Sequence, residues 1–211
     1  MRYVSDMSAT DKTIYLLAAH PNWRESRVNR QMLAAARGVP AVDAHDLYGS
    51  YADYAIDVPA EQARLAAARL VVLMHPVQWY SMPALLKLWL DEVLTYGWAY
   101  GPGGAALHGK DLWLAATTGG PEDSYHPQSY NRYFFDAFLP PYEQTAALCG
   151  MRFLPPLILH GAHRAADAEV AAHVATFADR LNAYPDWPEM DEMATCVACE
   201  VPQNDRPDTE G

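Results

Sequence analysis

Two glycine signatures are missing from this 211-residue chain: neither G-x-G-x-x-G nor G-x-x-x-x-G-K-[ST] occurs, so neither a dinucleotide fingerprint nor a nucleotide-triphosphate loop is indicated. No apolar run approaches the roughly 18 residues of a membrane span, and the N-terminus, MRYVSDMSATDK, has no apolar core of a leader, so cytoplasmic residence is expected. Positive charge is scarce. Lys and Arg number 15 against 26 acidic residues, a formal net charge of −11, which argues against binding nucleic acid or an anionic membrane through the body of the protein. Cysteine is scarcer still. Cys196 and Cys199 form CVAC, the spacing of a redox pair or half a zinc site, but no strand and helix frame it and no second pair of ligands lies nearby, so no metal site is expected. Cys149, in an apolar helical stretch, reads as a small core residue.

What the chain does have is apolar substance, 51% hydrophobic and 11% aromatic, ample for one core. Strand and helix patterns alternate, which predicts an α/β fold with a parallel sheet and helices on both faces. Strands are expected over Thr13–Ala19, Ala41–Asp46, Arg69–Met74, Lys110–Ala116 and Arg152–His160. Pro155 and Pro156 fit the last of these at an edge or at its beginning. Helices are expected from Ser26 to Arg37, Ala60 to Ala68 and Pro83 to Leu94, with Ser81 as N-cap of the third. Asn131–Phe138 reads as a short helix that Pro140 and Pro141 interrupt, Tyr142–Leu148 as its resumption, and Asp167–Asn182 as the final helix. Residues 1–12 form an N-terminal extension and 13–184 one domain. From Pro185 onward eight acidic residues face Arg206 alone, and four prolines make that segment an extended tail.

In an open α/β sheet, ligands collect beyond the carboxyl ends of the strands. Three loops there are unusual. The first, HPNWRESRVN, leads into a helix whose free N–H groups, with the Ser26 hydroxyl and Asn29 amide, suit an anion, although Ser26 also fits a plain N-cap. His20 can orient this loop or reach the anion, while Pro21 and Trp23 shape it. The second, HPVQWYS, carries Trp79 and Tyr80 outward, as a flat ligand would require, with the N–H groups of Gln78 to Tyr80 meeting its polar edge. In the third, TTGGPEDSYHP, Gly119 and Gly120 admit a ligand close to the backbone, Thr117 and Thr118 add hydroxyls, and Tyr125 and His126 offer a phenol and an imidazole.

The blocks HPNWRESRVNRQML, HPVQWYSMPALLKLWLDEV, GWAYGPGGAALHGK, TTGG and CGMRFLPPLILHG, in this order over residues 13–184, resemble the flavodoxin-like NAD(P)H:quinone oxidoreductases of the DT-diaphorase superfamily, above all the ancillary flavoproteins of bacterial glutathione-gated potassium efflux systems. The resemblance implies a flavodoxin-like five-stranded parallel sheet and a flavin: FMN, with FAD as the alternative. It places the phosphate at His20 and Ser26, Arg27, Val28 and Asn29, and the ring between Pro76, Val77, Gln78, Trp79 and Tyr80 on one side and Thr117, Thr118, Gly119 and Gly120 on the other. Tyr125 and His126 carry over as the catalytic pair, although Pro121 and Glu122 depart from the small or polar residues usual after TTGG.

NADH or NADPH is the implied hydride donor and a quinone-type molecule the acceptor, in two steps through the flavin. The implied assembly is a homodimer, with the helix after Pro83 and the loop Trp98–Gly104 as interface pieces. The rival reading is a flavin-binding regulatory subunit docked on a membrane potassium efflux transporter. A single-electron flavodoxin is a third, disfavoured because it needs no walled nicotinamide site.

Overall fold

The computed structural model describes residues 13–190 and 193. CVAC and the rest of the acidic segment therefore lie outside the described residues. Six parallel strands form one sheet: β1 (Ile14–Ala18), β2 (Val42–Asp46), β3 (Leu70–Pro76), β4 (Asp111–Thr117), β5 (Arg152–Phe153) and β6 (Leu157–Leu159). Their order is β2-β1-β3-β4-β5, with β6 also on β4, the doubly wound flavodoxin-like arrangement. The expected fifth strand is two pieces, because Pro155 and Pro156 offer no N–H to the ladder; β5 pairs with Asp111 and Leu112, and β6 with Ala115 to Thr117.

Successive side chains of each central strand go to opposite faces, and both faces are covered. Tyr15, Leu17, Val71, Leu73, Leu112 and Leu114 pack under α3 (Val58–Ala67), α4 (Ala84–Val93) and α5 (Pro140–Leu148). On the other face Leu16, Val72, Met74, Trp113 and Ala115 meet α1 (Val28–Arg37) and α6 (Asp167–Ala183). Among the described residues no helix is long and apolar enough to cross a membrane. Composition assigns Pro185–Met190 to the tail, yet Trp187 there is buried, its ring 4.9 Å from Trp113 and its Nε1 donating to the Arg180 carbonyl.

Several boundaries differ from expectation for local reasons. A short helix, α2 (Leu47–Ser50), follows β2, capped by the Asp46 side chain, and α3 starts at an Asp57 cap with Pro59 inside its first turn. Likewise Pro140 and Pro141 open α5 instead of interrupting a helix, since first-turn N–H groups have no partner to lose. Asn131–Phe138 is not a helix: Arg132 has φ +61°, and only Phe135–Phe138 forms a 3-10 turn. Ser81 does not cap α4; it closes a tight turn with Gln78, and the Leu85 N–H is taken instead by the Tyr48 hydroxyl of α2.

The apolar stripe of α4 is spent on the core. Leu85, Leu86, Trp89 and Val93 are buried there, while Lys87 and Asp91 pair on the outer side. Beneath this helix Glu61, fully buried, accepts hydrogen bonds from the Tyr15 and Tyr51 hydroxyls and from Trp89 Nε1 at 2.7 Å. His45 Nε2 stands 3.3 Å from the same carboxylate without hydrogen-bonding geometry. One carboxylate thus ties α3 to β1 and α4. Replacing Glu61 by Ala is expected to cost about 3–5 kcal/mol, because buried donors lose their acceptor. Urea unfolding at neutral pH measures it, and a loss under about 1 kcal/mol, the ordinary net worth of a single hydrogen bond, would show the network to be dispensable.

Candidate active site

Strands β1, β3 and β4 end at the same edge of the sheet, so the three unusual loops emerge side by side. In the first, His20 Nδ1 accepts from the Asn22 N–H at 3.1 Å, which leaves the ring proton on Nε2 and makes His20 a donor. Burial lowers its pKa, against the pull of Asp46 and Glu25, so it is neutral at pH 7. Trp23 shapes the loop, its ring tilted against His20 at 5.2 Å and its Nε1 donating to Asp46. Helix α1 begins at Val28, with Arg27 at the cap position. Ser26 is nevertheless cap-like, because its buried Oγ accepts from the Arg30 N–H at 3.1 Å and its own proton remains to donate. Asn29 is buried and its Oδ1 has no hydrogen-bond partner among the described residues.

These groups line a cavity of about 300 Å³ together with Arg27, Val28, Pro76, Val77, Gln78, Thr117, Thr118 and Gly119. Eleven expected residues are thereby gathered in one place. Arg27, however, is committed elsewhere, to the Ala165 carbonyl at 2.6 Å and to Asp167 at the start of α6. An anion here would be held by neutral donors and the N-terminus of a ten-residue helix, not by a free cation.

In the second loop the peptide between Pro76 and Val77 is clamped from both sides. Its N–H donates to the Thr117 carbonyl at 2.7 Å, and its carbonyl meets His75 Nδ1 at 3.0 Å. A carbonyl only accepts, so Nδ1 bears the proton and Nε2 accepts from the Tyr142 hydroxyl at 3.2 Å. Next, Gln78 and Ser81 exchange N–H···O bonds, so the Gln78 N–H expected to face a ligand is used inside the turn. Trp79 and Tyr80 then take left-handed backbone at φ +48° and +62°, a conformation costing bulky side chains about 1–3 kcal/mol each. The strain turns both aromatics outward: Trp79 is 94% exposed and Tyr80 47%.

In the third loop Thr117 and Thr118 are buried, and Gly120 is tightly hemmed: a Cβ there would lie 2.8 Å from Ser124 Oγ and 2.9 Å from the Tyr130 hydroxyl. A second cavity of about 220 Å³ adjoins the first through Val77 and is walled by Trp79, Tyr80, Gly120, Tyr125, Tyr130 and Asn131. Burial raises the Tyr125 pKa, so this phenol keeps its proton at neutral pH. The other half of the expected catalytic pair is apart. His126 is exposed, packed on Phe134 at 5.1 Å, and lies with Pro121, Glu122 and Asp123 in a depression that only Tyr125 shares with the second cavity.

Sequence reasoning missed six contributors. Asn22 and Glu25 reach the first cavity from the first loop, Ala162 and His163 from the loop after β6, and Tyr130 and Asn131 the second cavity from the irregular segment. LHGAH after the fifth strand was a signal of the same kind as the other three loops; Asn131 carried none.

Similarity to known proteins agrees with this fold. A protein family described as having a flavodoxin-like fold matches residues 12–181. The chain is 44% identical over 173 residues to the glutathione-regulated potassium-efflux system ancillary protein KefF of Citrobacter koseri, covering 82% of this chain and 97% of that one. A general stress protein 14 of Treponema denticola, solved in complex with FMN, superposes with TM-score 0.76 at 38% identity, over 82% of this chain and 98% of its own. An NADPH-quinone reductase from P. pentosaceus superposes with TM-score 0.73 at 26% identity, over 80% and 97%.

The clamp on the second loop should be visible in the pH dependence of stability. Burial holds the His75 pKa at about 4 against an ordinary 6.5. Between those values the unfolded chain takes up a proton that the folded one refuses, so this stabilisation is complete above about 6.5 and falls by about 3 kcal/mol as the pH drops to 4. Other buried histidines add slope of the same sign. A His75→Gln variant is expected to be less stable at pH 7 yet flatter in this window by denaturant titration, and an unchanged slope would contradict the buried neutral imidazole.

Proposed function

The chain belongs to a family with the flavodoxin-like fold, and on that premise we propose that it is a flavin-dependent NAD(P)H:quinone oxidoreductase. The observation that carries the reading is the pair of adjoining cavities at the sheet's carboxyl edge, one lined by anion-holding donors and the other by aromatics. The fit to FMN rests on the first. A Ser26 proton free to donate, a His20 Nε2–H, the amide nitrogen of cavity-lining Asn29 and the α1 N-terminus form a cradle of donors suited to a phosphate. The flavin supplies a ring that takes a hydride from a nicotinamide and returns it to a quinone-type acceptor.

The chain's own residues do the rest. The clamped Pro76–Val77 peptide and the glycines of TTGG set the width of the slot, and Trp79 and Tyr80 give a flat guest a stacking wall. Tyr125, protonated and at the cavity wall, hydrogen-bonds to the acceptor's carbonyl and stabilises charge that builds on its oxygen. His126 is the second proton source of this reading, from the outer depression. We take the protein to be cytoplasmic and to work as a homodimer, with the outer side of α4, which the core does not use, and the loop Trp98–Gly104 as interface.

A second reading is favoured by the 44% identity to a potassium-efflux ancillary protein: the same flavin pocket in a regulatory subunit that docks on a membrane transporter. Both readings require the pocket.

Purified protein is expected to be yellow, to bleach with NADH or NADPH and to recover its colour with a quinone. A colourless protein that takes up neither FMN nor FAD would defeat both readings, and a yellow one that no nicotinamide bleaches would leave only the subunit. Trp79→Ala is expected to weaken flavin retention, read by fluorescence titration, while moving the unfolding midpoint little because the side chain is exposed; unchanged flavin affinity would refute the ring's placement.

A further inference from the structure

A short chain of hydrogen bonds crosses the rim of the second cavity, and its direction is forced. Ser124 Oγ lies 2.6 Å from the Pro121 carbonyl, which can only accept, so the single serine proton is spent there. The contact of 2.8 Å between Ser124 Oγ and Asn131 must then be donated by the Asn131 amide nitrogen. That orients the amide, and its oxygen faces the Tyr80 hydroxyl at 3.2 Å. The Tyr80 proton is therefore spent as well. What the Tyr80 oxygen has left is lone pairs, on a residue that walls the cavity together with protonated Tyr125 and with Tyr130.

We propose that Asn131 makes Tyr80 a hydrogen-bond acceptor toward the cavity, and that this polarity selects a planar ligand presenting an N–H donor there: the carboxamide of a nicotinamide. This rests on the proposed function and deepens it. Asn131 is a positioning residue, since it acts through Tyr80, and the two phenols divide the work: Tyr125 donates and Tyr80 accepts. The arrangement is well supported from below. Asn131 is buried, its backbone N–H reaches the Ser124 carbonyl at 3.3 Å, and Phe138 stacks on the Tyr80 ring at 5.1 Å, which restricts where the hydroxyl can turn. The missing side chain of Gly120 leaves room for Ser124 and Asn131 to meet.

The test compares two ligands that differ at one group. Oxidised nicotinamide dinucleotide carries the carboxamide, and its 3-acetylpyridine analogue has a methyl in place of the amide nitrogen. Isothermal titration of each into the flavin-loaded protein gives the ratio of their Kd values without turnover. The wild type is expected to favour the carboxamide by about three- to tenfold, the worth of one neutral hydrogen bond. Tyr80→Phe removes the acceptor and so loses the bond, whereas Asn131→Leu frees the Tyr80 proton so that the phenol can serve either ligand; both are expected to bring the ratio to about one. Asn131→Asp still accepts from Tyr80 and is expected to keep the preference. A merely structural role would weaken both ligands together and leave the ratio intact.

Should Asn131→Leu fail to fold, half-exposed Tyr80→Phe carries the test alone. Equal affinities in the wild type, or a ratio that Tyr80→Phe does not change, overturn the inference and leave the proposed function standing. If the wild type binds neither nucleotide, the nicotinamide reading falls and this inference with it.

Discussion

Strand β3 is held along both edges, by β1 from Leu70 to Met74 and by β4 from Leu70 to Pro76, and the candidate site hangs from the point where it ends. Its last hydrogen-bonded residues run directly into the aromatic turn. The peptide after Pro76 cannot rotate, because Thr117 holds its N–H and His75 its carbonyl. A strained turn, with two bulky residues in left-handed backbone, can persist only on such an anchor. The strain faces the slot, and the core that compensates for it lies in the two apolar layers below.

Those layers contain polar clamps where side chains must be oriented as well as covered. Tyr142 orients His75 from α5, and Glu61 orients Tyr15, Tyr51 and Trp89 from α3. Each buried group accepts what its neighbours must donate, so little freedom remains in protonation or rotamer. At the rim Ser124, Asn131 and Tyr80 repeat the pattern with a solvent-facing end. The two cavities are accordingly different in kind. The first offers donors and a helix N-terminus, the second aromatic area and the phenols of Tyr80, Tyr125 and Tyr130.

Much of this was legible in the residues. Doubly covered strands appeared as apolar runs, and the unusual composition of HPNWRESRVN, HPVQWYS and TTGGPEDSYHP marked the strand ends that line the cavities. Errors arose where proline and serine were read without their surroundings. Pro140 and Pro141 looked like breakers and are the first turn of α5; Ser81 looked like a cap and closes the turn before α4. His126 follows Tyr125 in sequence but lines the outer depression, its ring against Phe134, because adjacent residues in an irregular loop need not face the same way.

Local pattern was sufficient for the fold class, the strand ends and the aromatic turn, because hydrophobic periodicity and turn chemistry act between residues a few positions apart. Tertiary structure alone decided which polar groups meet. Glu61 stands in a helix with nothing around it to announce burial, and only the fold lays Tyr15, 46 positions away, over it. Asn131 had no signal of its own until Tyr80, 51 positions away, was brought to its amide oxygen. A hydrogen bond's direction depends on every partner in its chain, and those partners converge only when the sheet is assembled.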